Sequence, residues 1–208
     1  MPVAALTPAQ QRIHAAALKL FAERGINQVN VSELAQAAGV ARGTIYNNLH
    51  DPDHLFEEVA AQLADDMNWR ITASFEGITD PAHRLANGIR LYIRRAHEEP
   101  HWGRFICRYA FNAESLRKVW EGQPVTDLMA GLQSGRYHFR QEQLPSVIGL
   151  QAGAVLSSIF SVLEGIKTWR EAGADAAEFT LVALGLSRAE ARALATMDLP
   201  PLPSSSKR

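Results

Sequence analysis

Residues 97–101, His-Glu-Glu-Pro-His, match the H-E-x-x-H pattern of zinc proteases letter for letter. That chemistry needs both imidazoles on one face of an unbroken helix, with a glutamate placed as general base. Pro100 lies inside the pattern, and proline removes a helix hydrogen bond and clashes with the preceding turn. The sequence therefore predicts a helix end followed by a new helix start, and no metal site.

No other nucleophile–base pair, glycine-rich phosphate loop or cysteine–histidine cluster stands out in the 208 residues. The single cysteine, Cys107, excludes an internal disulfide and fits a reducing cytoplasm, and we interpret it as a small buried hydrophobic residue. The formal net charge of −1 gives no overall attraction to nucleic acid or anionic membranes. The residues predict no cofactor, no catalytic site, no signal peptide and a cytoplasmic location.

The most informative elements lie near the start of the chain, where residues 31–49 are typical of two short helices joined by a tight turn. Asn30 is placed to cap the first helix, with Glu33 as its reciprocal partner. Gly39 supplies the left-handed backbone that the turn needs. Val40 and Ile45 face inward from the second helix. This is a helix-turn-helix, whose second helix enters the major groove of DNA.

Residues 7–25 predict a further helix that completes a three-helix unit. Thr7 caps it, Pro8 occupies the first helical position and Gln10 reaches back to the cap. Apolar residues then recur on one face, and Gly25 ends the helix.

The segments Ala17-Leu-Lys-Leu-Phe-Ala-Glu-Arg-Gly25, 31–40 and Gly43-Thr-Ile-Tyr46 resemble the N-terminal domain of TetR-family transcriptional regulators. The resemblance implies a two-domain, all-helical, homodimeric repressor whose C-terminal domain binds a small effector. Four positions depart from the family pattern. Ala41, Asn47, Leu49 and Pro52 stand where the family often has a serine, an aromatic residue or histidine, a phenylalanine and a lysine.

The predicted DNA contacts are Asn30, Arg42, Gly43, Thr44, Tyr46, Asn47 and Asn48. We expect Thr44 and Tyr46 to bind phosphates, and Asn47 or Asn48 to read adenine. The alternative is that both asparagines face only water or phosphate. Acidic residues offset the basic ones in this unit, so binding should depend on hydrogen bonds more than on charge.

Beyond residue 50 the chain predicts helices that start at Pro52, Pro81, Pro100, Pro124, Pro145 and Ser187, and no strands. We therefore predict an all-α fold with a helix-turn-helix DNA-binding domain over residues 1–50. A larger helical bundle for effector binding and dimerisation spans residues 51–198. The proline- and serine-rich residues 199–208 are predicted to be a disordered tail.

The helix predicted from Pro145 to about Trp169 carries a small residue at every fourth position. These residues are Gly149, Gly153, Ser157, Ser161 and Gly165. Such a ridge allows close approach of another helix, and the resemblance implies a four-helix bundle between two subunits. The alternative is that the ridge packs within one subunit. The stretch is long enough to span a membrane, but its glutamine, serines and glycines make it too polar for a membrane span.

Aromatic residues and one methionine on the later helices predict an effector pocket. They are Trp69, Tyr92, Trp102, Phe105, Tyr109, Trp120, Met129 and Phe160. The alternative is a solid core, since aromatic residues at helical spacing usually pack. An arginine could also reach the cavity and pair with an anionic effector, although we favour exposed ion pairs between helices.

Together these patterns predict a ligand-responsive DNA-binding regulator rather than an enzyme. It would be a homodimeric repressor, released from a palindromic double-stranded operator by a small hydrophobic or amphipathic effector. Two alternatives stay open, an effector-free DNA-binding structural or interaction protein and an enzyme with an appended helix-turn-helix.

Overall fold

The structure is a computed structural model that describes residues 7–25, 29–48, 54–111 and 113–203. These residues form helices without strands, as predicted. The helices are α1 (Pro8–Arg24), α2 (Val31–Ala38), α3 (Arg42–Asn48), α4 (Leu55–Ser74), α5 (Pro81–Glu98), α6 (Pro100–Tyr109), α7 (Arg117–Glu121), α8 (Gln123–Gln133), α9 (Leu144–Leu163), α10 (Trp169–Ala183) and α11 (Arg188–Thr196).

The first three helices form the predicted compact unit. Thr7 and Gln10 make the reciprocal capping box at the start of α1. The Asn30 carboxamide oxygen accepts hydrogen bonds from the backbone N–H groups of Ser32 and Glu33 at the start of α2. Gly39 adopts the left-handed conformation at φ 63°, which confirms the tight turn before α3.

α5 is the central helix of the larger part of the molecule, and α6, α8, α9, α10 and α11 all pack against it. Asp80 caps α5, and Pro81 occupies its first turn. The helix ends at Glu98 and α6 begins at Pro100, so the structure confirms the helix break inside residues 97–101. The predicted helix start at Pro52 lies outside the described residues.

The observed helices differ from the predicted ones in two places. The short α7 precedes the helix expected at Pro124, and the long helix expected to reach Trp169 ends at Leu163. Gly165 follows α9 at φ 70°, and Thr168 then caps α10 with a capping box to Glu171. The chain therefore turns where the sequence analysis continued one helix, and Gly165 does not belong to the ridge.

The segment after α11 has defined contacts over residues 199–203, in contrast to the predicted disorder. Leu199 and Leu202 pack against the core. The carbonyl oxygen of Pro203 accepts a hydrogen bond from Arg70 Nε at 2.8 Å. The rest of the predicted tail lies outside the described residues.

α9 with its preceding turn, Gln141–Leu163, is long and apolar enough by composition to cross a membrane, a test that core helices of soluble proteins also pass. In the fold this helix packs on α5, α6 and α10 through Gln151, Ala152, Val155 and Ile159. Its other side is largely uncovered and carries glycines and serines together with the exposed apolar Leu150 and Phe160. Only one face of α9 therefore packs against the other helices of the bundle.

Candidate functional site

The exposed side of α3 carries most of the predicted DNA contacts. Arg42, Gly43, Tyr46 and Asn47 are exposed, with 54% of the Tyr46 surface accessible. Ile45 is 0% exposed and holds the helix against α1 and α2. Successive helical residues are rotated by about 100°, so burial of Ile45 leaves the side with Tyr46 and Asn47 free.

Two predicted contacts already make hydrogen bonds within the fold. Asn48 Nδ2 donates to the Thr44 carbonyl at 2.8 Å, and Gln10 Nε2 donates to the Asn48 carbonyl at 3.2 Å. The Asn30 side chain serves as the cap of α2. Asn47 is exposed, and we therefore expect Asn47 rather than Asn48 to read a base.

Substitutions on α3 should separate affinity from sequence preference. Tyr46→Ala and Thr44→Ala are expected to weaken binding to all DNA sequences, because phosphate contacts carry no sequence information. Asn47→Ala should relax the preference at one base pair by about 1–3 kcal/mol, and Asn48→Ala by less. Binding-site selection followed by competition titrations measures both effects. Equal operator affinity of Tyr46→Ala, Thr44→Ala and the unsubstituted protein would contradict the assignment.

A small, partly open pocket lies between α4, α5, α7, α8 and α9, and we call it the central pocket. Its volume is about 20 Å³, enough for about one water molecule. It is lined by Asn68, Ile71, Phe75, Arg84, Leu85, Gly88, Ile89, Tyr92, Trp120, Gln123, Pro124, Asp127, Gln151 and Val155. A ligand larger than water requires these side chains to move apart.

Polar groups are concentrated at one part of the central pocket. Asp127 is 2% exposed, and its Oδ1 lies 3.0 Å from Arg84 Nε and accepts a hydrogen bond from Gln123 Nε2 at 3.0 Å. Gln151 Oε1 is buried and has no hydrogen-bond donor within the described part of the chain. The arginine that reaches the pocket is thus Arg84, already paired with a carboxylate. Arg84 Nε is close to Asp127 but makes no hydrogen bond of good geometry, so the charge of Arg84 is engaged by Asp127. Gln151 Oε1, by contrast, is a fully unused acceptor among the described residues, which suits a ligand hydroxyl or N–H group.

Burial raises the pKa of Asp127 to about 6, although the charge of Arg84 and the hydrogen bond from Gln123 oppose this shift. The folded state therefore keeps a proton between about pH 4 and pH 6 that the unfolded state releases, and stability falls as pH rises through this window. The free energy of unfolding should drop by about 1–3 kcal/mol from pH 4 to pH 7, relative to Asp127→Asn.

Urea unfolding of the unsubstituted protein and of Asp127→Asn between about pH 4 and pH 7 tests this expectation. Asp80 offers a control of opposite sign. Burial works against ionisation there too, but hydrogen bonds from Arg136 and from the Ala82 N–H lower its pKa. The stabilisation from Asp80 is therefore present above about pH 4 and is lost below it. If the free energies of unfolding of the unsubstituted protein and of Asp127→Asn differ by an amount that does not vary with pH, this result would contradict the effect of burial on the Asp127 pKa.

The aromatic residues predicted to form one effector site fall into separate groups. Tyr92 and Trp120 line the central pocket, with ring centroids 6.1 Å apart, and Trp102 lies behind Tyr92 at 5.9 Å. Trp69 and Met129 are half-buried and outside the lining. The assignment of Phe160 to the effector site has to be corrected. Phe160 is 55% exposed on α9, and the buried Val155 and Ile159 face the bundle instead.

Phe105 and Tyr109 belong to a different cluster, which joins the DNA-binding unit to the larger bundle. The Phe56 ring on α4 lies 5.5 Å from Phe21 on α1 and 5.0 Å from Tyr109 on α6. The Tyr109 hydroxyl donates to the Phe21 carbonyl at 3.2 Å. We call this the junction cluster. Its rings connect α1, α4 and α6 through direct contacts.

Sequence reasoning missed the polar lining of the central pocket. Gln123, Asp127 and Gln151 sit on helices whose other inward residues are apolar. The available signal was an acidic or amide residue at an inward helical position. Burial of a polar group is costly without a partner, so such a residue indicates a polar site inside the bundle.

The predicted ridge lies on the uncovered side of α9. A Cβ atom added at Gly149 or Gly153 would have no neighbour within 4 Å among the described residues. Ser157 is exposed and Ser161 half-buried on the same side. Large apolar side chains are exposed on α9 and α10 as well, with Leu150 at 53% and Phe179 at 68%.

Comparison with known proteins bears on both parts of the chain. Residues 13–59 match the family model described as bacterial regulatory proteins of the tetR family. Residues 80–197 match the tetracyclin repressor-like C-terminal domain. The junction cluster joins the two matched regions, since Phe21 and Phe56 lie in the first and Phe105 and Tyr109 lie in the second.

The chain spans less than two thirds of the length of the curated relatives it matches. The HTH-type transcriptional regulator HbdR from Aromatoleum sp. is 30% identical over 83 residues, which are 40% of this chain and 36% of that protein. The crystal structure of RolR with resorcinol is 25% identical, with a TM-score of 0.71 over 94% of this chain and 96% of that one.

The crystal structure of FadR from Bacillus subtilis with stearoyl-CoA shares the fold at 17% identity, with a TM-score of 0.68 over 86% of this chain and 100% of that one. The family matches cover most of the chain, and the C-terminal part as well as the helix-turn-helix part matches a regulator family rather than an enzyme family. The chain belongs to the TetR family of DNA-binding transcriptional regulators.

Proposed function

We propose that the protein is a homodimeric cytoplasmic repressor that binds a near-palindromic operator through α3 and releases it when a small amphipathic effector enters the central pocket. The observation that carries the proposal is the polar part of this pocket. Asp127 and Gln151 are buried beside aromatic walls, and Gln151 Oε1 has no donor among the described residues. Leaving such a group unsatisfied costs about 1–3 kcal/mol, which a ligand donor would recover.

The lining favours an effector with a small apolar or aromatic body and at least one hydroxyl or N–H group. Tyr92, Trp120 and Phe75 offer ring surfaces, while Asp127 and Gln151 offer acceptors. Pockets of this kind bind through apolar walls and orient the ligand with few polar groups. RolR binds resorcinol, an aromatic ring with two hydroxyls, which agrees with this class. A purely anionic effector is disfavoured beside the Asp127 carboxylate.

α4 connects the pocket to the DNA-binding unit. Ile71 and Phe75 near its end line the central pocket, whereas Phe56 near its start belongs to the junction cluster. Because the pocket has room for about one water molecule, an effector must displace α4 or its neighbours. A shift of α4 would move α1 and α3 in each subunit and change the separation of the two recognition helices.

Dimerisation is proposed through the ridge of Gly149, Gly153, Ser157 and Ser161 together with the exposed face of α10. Exposed apolar patches on a soluble protein mark interaction sites. A twofold-symmetric dimer would present two copies of α3 to two half-sites about 34 Å apart, or a multiple of this distance.

A ligand screen on the operator complex tests the proposal. The operator is first obtained by selecting DNA fragments with the purified protein. Release is then measured with dihydroxybenzenes, other phenols, aromatic amines and medium-chain alcohols. We expect a neutral hydroxyl or amine compound to lower operator affinity, and Gln151→Leu to reduce that response while leaving DNA binding intact. The small pocket is what the effector-free alternative predicts, and failure of every compound to change operator affinity would favour that alternative.

A further inference from the structure

A second, larger concavity lies on the other side of α5, between α5, α10 and the end of α11, and we call it the α5–α10 groove. Its volume is about 630 Å³. Three arginines and one tryptophan contribute to its walls, namely Arg90, Arg94, Arg170 and Trp169. The groove is therefore larger and more basic than the central pocket.

The two sites use opposite faces of α5. The central pocket contacts Leu85, Gly88 and Tyr92, while the groove contacts Arg90 and Arg94. At about 100° per residue these two sets lie on opposite sides of the helix. The groove and the central pocket share no lining residue, so a ligand in one would not contact the residues of the other. The groove is therefore a separate site.

Arg90 has hydrogen-bonding capacity that the fold leaves unused. Its Nη1 atom is buried and has no hydrogen-bond partner in the described ranges. Burial lowers the pKa of Arg90, and the charge of Asp198 only partly offsets this. A buried guanidinium N–H without an acceptor is costly, and an anionic oxygen is the group that satisfies it best.

Trp169 forms the apolar part of the groove. The guanidinium carbon of Arg170 lies 4.4 Å from its ring centroid, and that of Arg94 lies 5.5 Å away. Stacking on the indole holds these two cations beside Arg90. Glu98 pairs with Arg94 at 2.7 Å, and Asp198 also lines the groove and partly offsets the charge of Arg90. Arg170 and the Nη1 of Arg90, which has no partner in the described ranges, therefore remain for an anion.

We propose that the α5–α10 groove binds a small organic oxyanion, a carboxylate or a phosphate ester, through Arg90 and Arg170, with its apolar part beside Trp169. Carboxylate and phosphate share the geometry that a guanidinium recognises with paired hydrogen bonds. This site is independent of the proposed effector pocket, because its ligand is anionic and its lining lies across α5.

The experiment uses the full chain with benzoate, phenyl phosphate and the neutral benzyl alcohol as probes. Binding is followed by calorimetry and by the indole N–H resonance of Trp169, assigned with Trp169→Phe. We expect at least one anion to bind saturably and to shift the Trp169 resonance but not that of Trp120 in the central pocket. Benzyl alcohol should leave Trp169 unchanged. The stronger of the two anions identifies the ligand as a carboxylate or a phosphate ester.

Arg90→Gln and the exposed Arg170→Gln should each weaken anion binding by about tenfold or more. Arg192→Gln removes an exposed arginine of α11 outside the groove lining and should bind within about twofold of the unsubstituted protein. Arg170→Gln keeps the test valid if Arg90→Gln fails to fold. Unchanged anion affinity in the arginine variants, or no Trp169 shift with either anion, would overturn the proposal. Neither result affects operator release, which is read separately.

Discussion

Gly153→Leu and Ser157→Leu should convert the protein to a monomer that no longer binds its operator at submicromolar concentration. A leucine at position 153 has open space in the isolated chain, since a Cβ atom there meets no described neighbour within 4 Å. Across a close helix–helix contact the same side chain overpacks, at a cost of about 1–3 kcal/mol or more per site. In a symmetric interface each substitution occurs twice, so the dimer dissociation constant should rise by about 30-fold or more.

Sedimentation velocity, thermal unfolding and operator titration together distinguish this effect from a folding defect. Ala193→Leu adds the same side chain at an exposed position of α11 and serves as the matched control. It should leave assembly and operator affinity unchanged. Retention of wild-type dimers by both ridge variants would place the interface elsewhere.

Arg95→Met should cause a large loss of stability, about 2–4 kcal/mol in the free energy of unfolding. Arg95 is 3% exposed, and its Nη1 lies 2.9 Å from an Asp66 carboxylate oxygen. Its guanidinium also lies 3.3 Å from Glu99 and 4.6 Å from the Trp102 ring centroid. Removing the cation breaks the close ion pair with Asp66, whose contact with Arg70 is longer, at 3.7 Å.

The neighbouring Arg94 provides the matched comparison on the same helix. Arg94 pairs with Glu98 at 2.7 Å in the same i,i+4 arrangement, but both side chains are substantially exposed. Arg94→Met should therefore cost less than about 1 kcal/mol. Chemical denaturation of the two variants measures the difference, and equal losses would show that burial does not set the cost of breaking these pairs.

The DNA-binding unit could be predicted from sequence because its signals are local. Thr7, Asn30 and Gly39 act through the backbone of their own helix ends, so the residue type and spacing are sufficient. The end of α9 was also signalled locally, by Gly165 and by the capping pair of Thr168 and Glu171. The sequence analysis gave more weight to the four-residue repeat and therefore extended the helix too far.

The central pocket could not be predicted in the same way because its lining comes from five helices. Aromatic character identified Tyr92 and Trp120, but it also selected Phe105 and Tyr109, which pack in the junction cluster. Whether an aromatic side chain faces a pocket or another ring depends on helix crossing and rotation, which residue spacing does not determine. Phe160 shows the same limitation, since its helix rotates it to the surface.

The division of the central pocket among helices has a consequence for biosensor engineering. Gln123, Asp127 and Gln151, the polar groups of the proposed effector pocket, are carried by α8 and α9. The apolar contacts that would transmit occupancy are carried by Ile71 on α4 and by Phe75, the residue that directly follows α4. We therefore expect libraries randomised at positions 123, 127 and 151 to change which compound is bound. The proposed shift of α4, which lowers operator affinity, should stay the same. Retargeting and signal strength are then separately adjustable in one reporter.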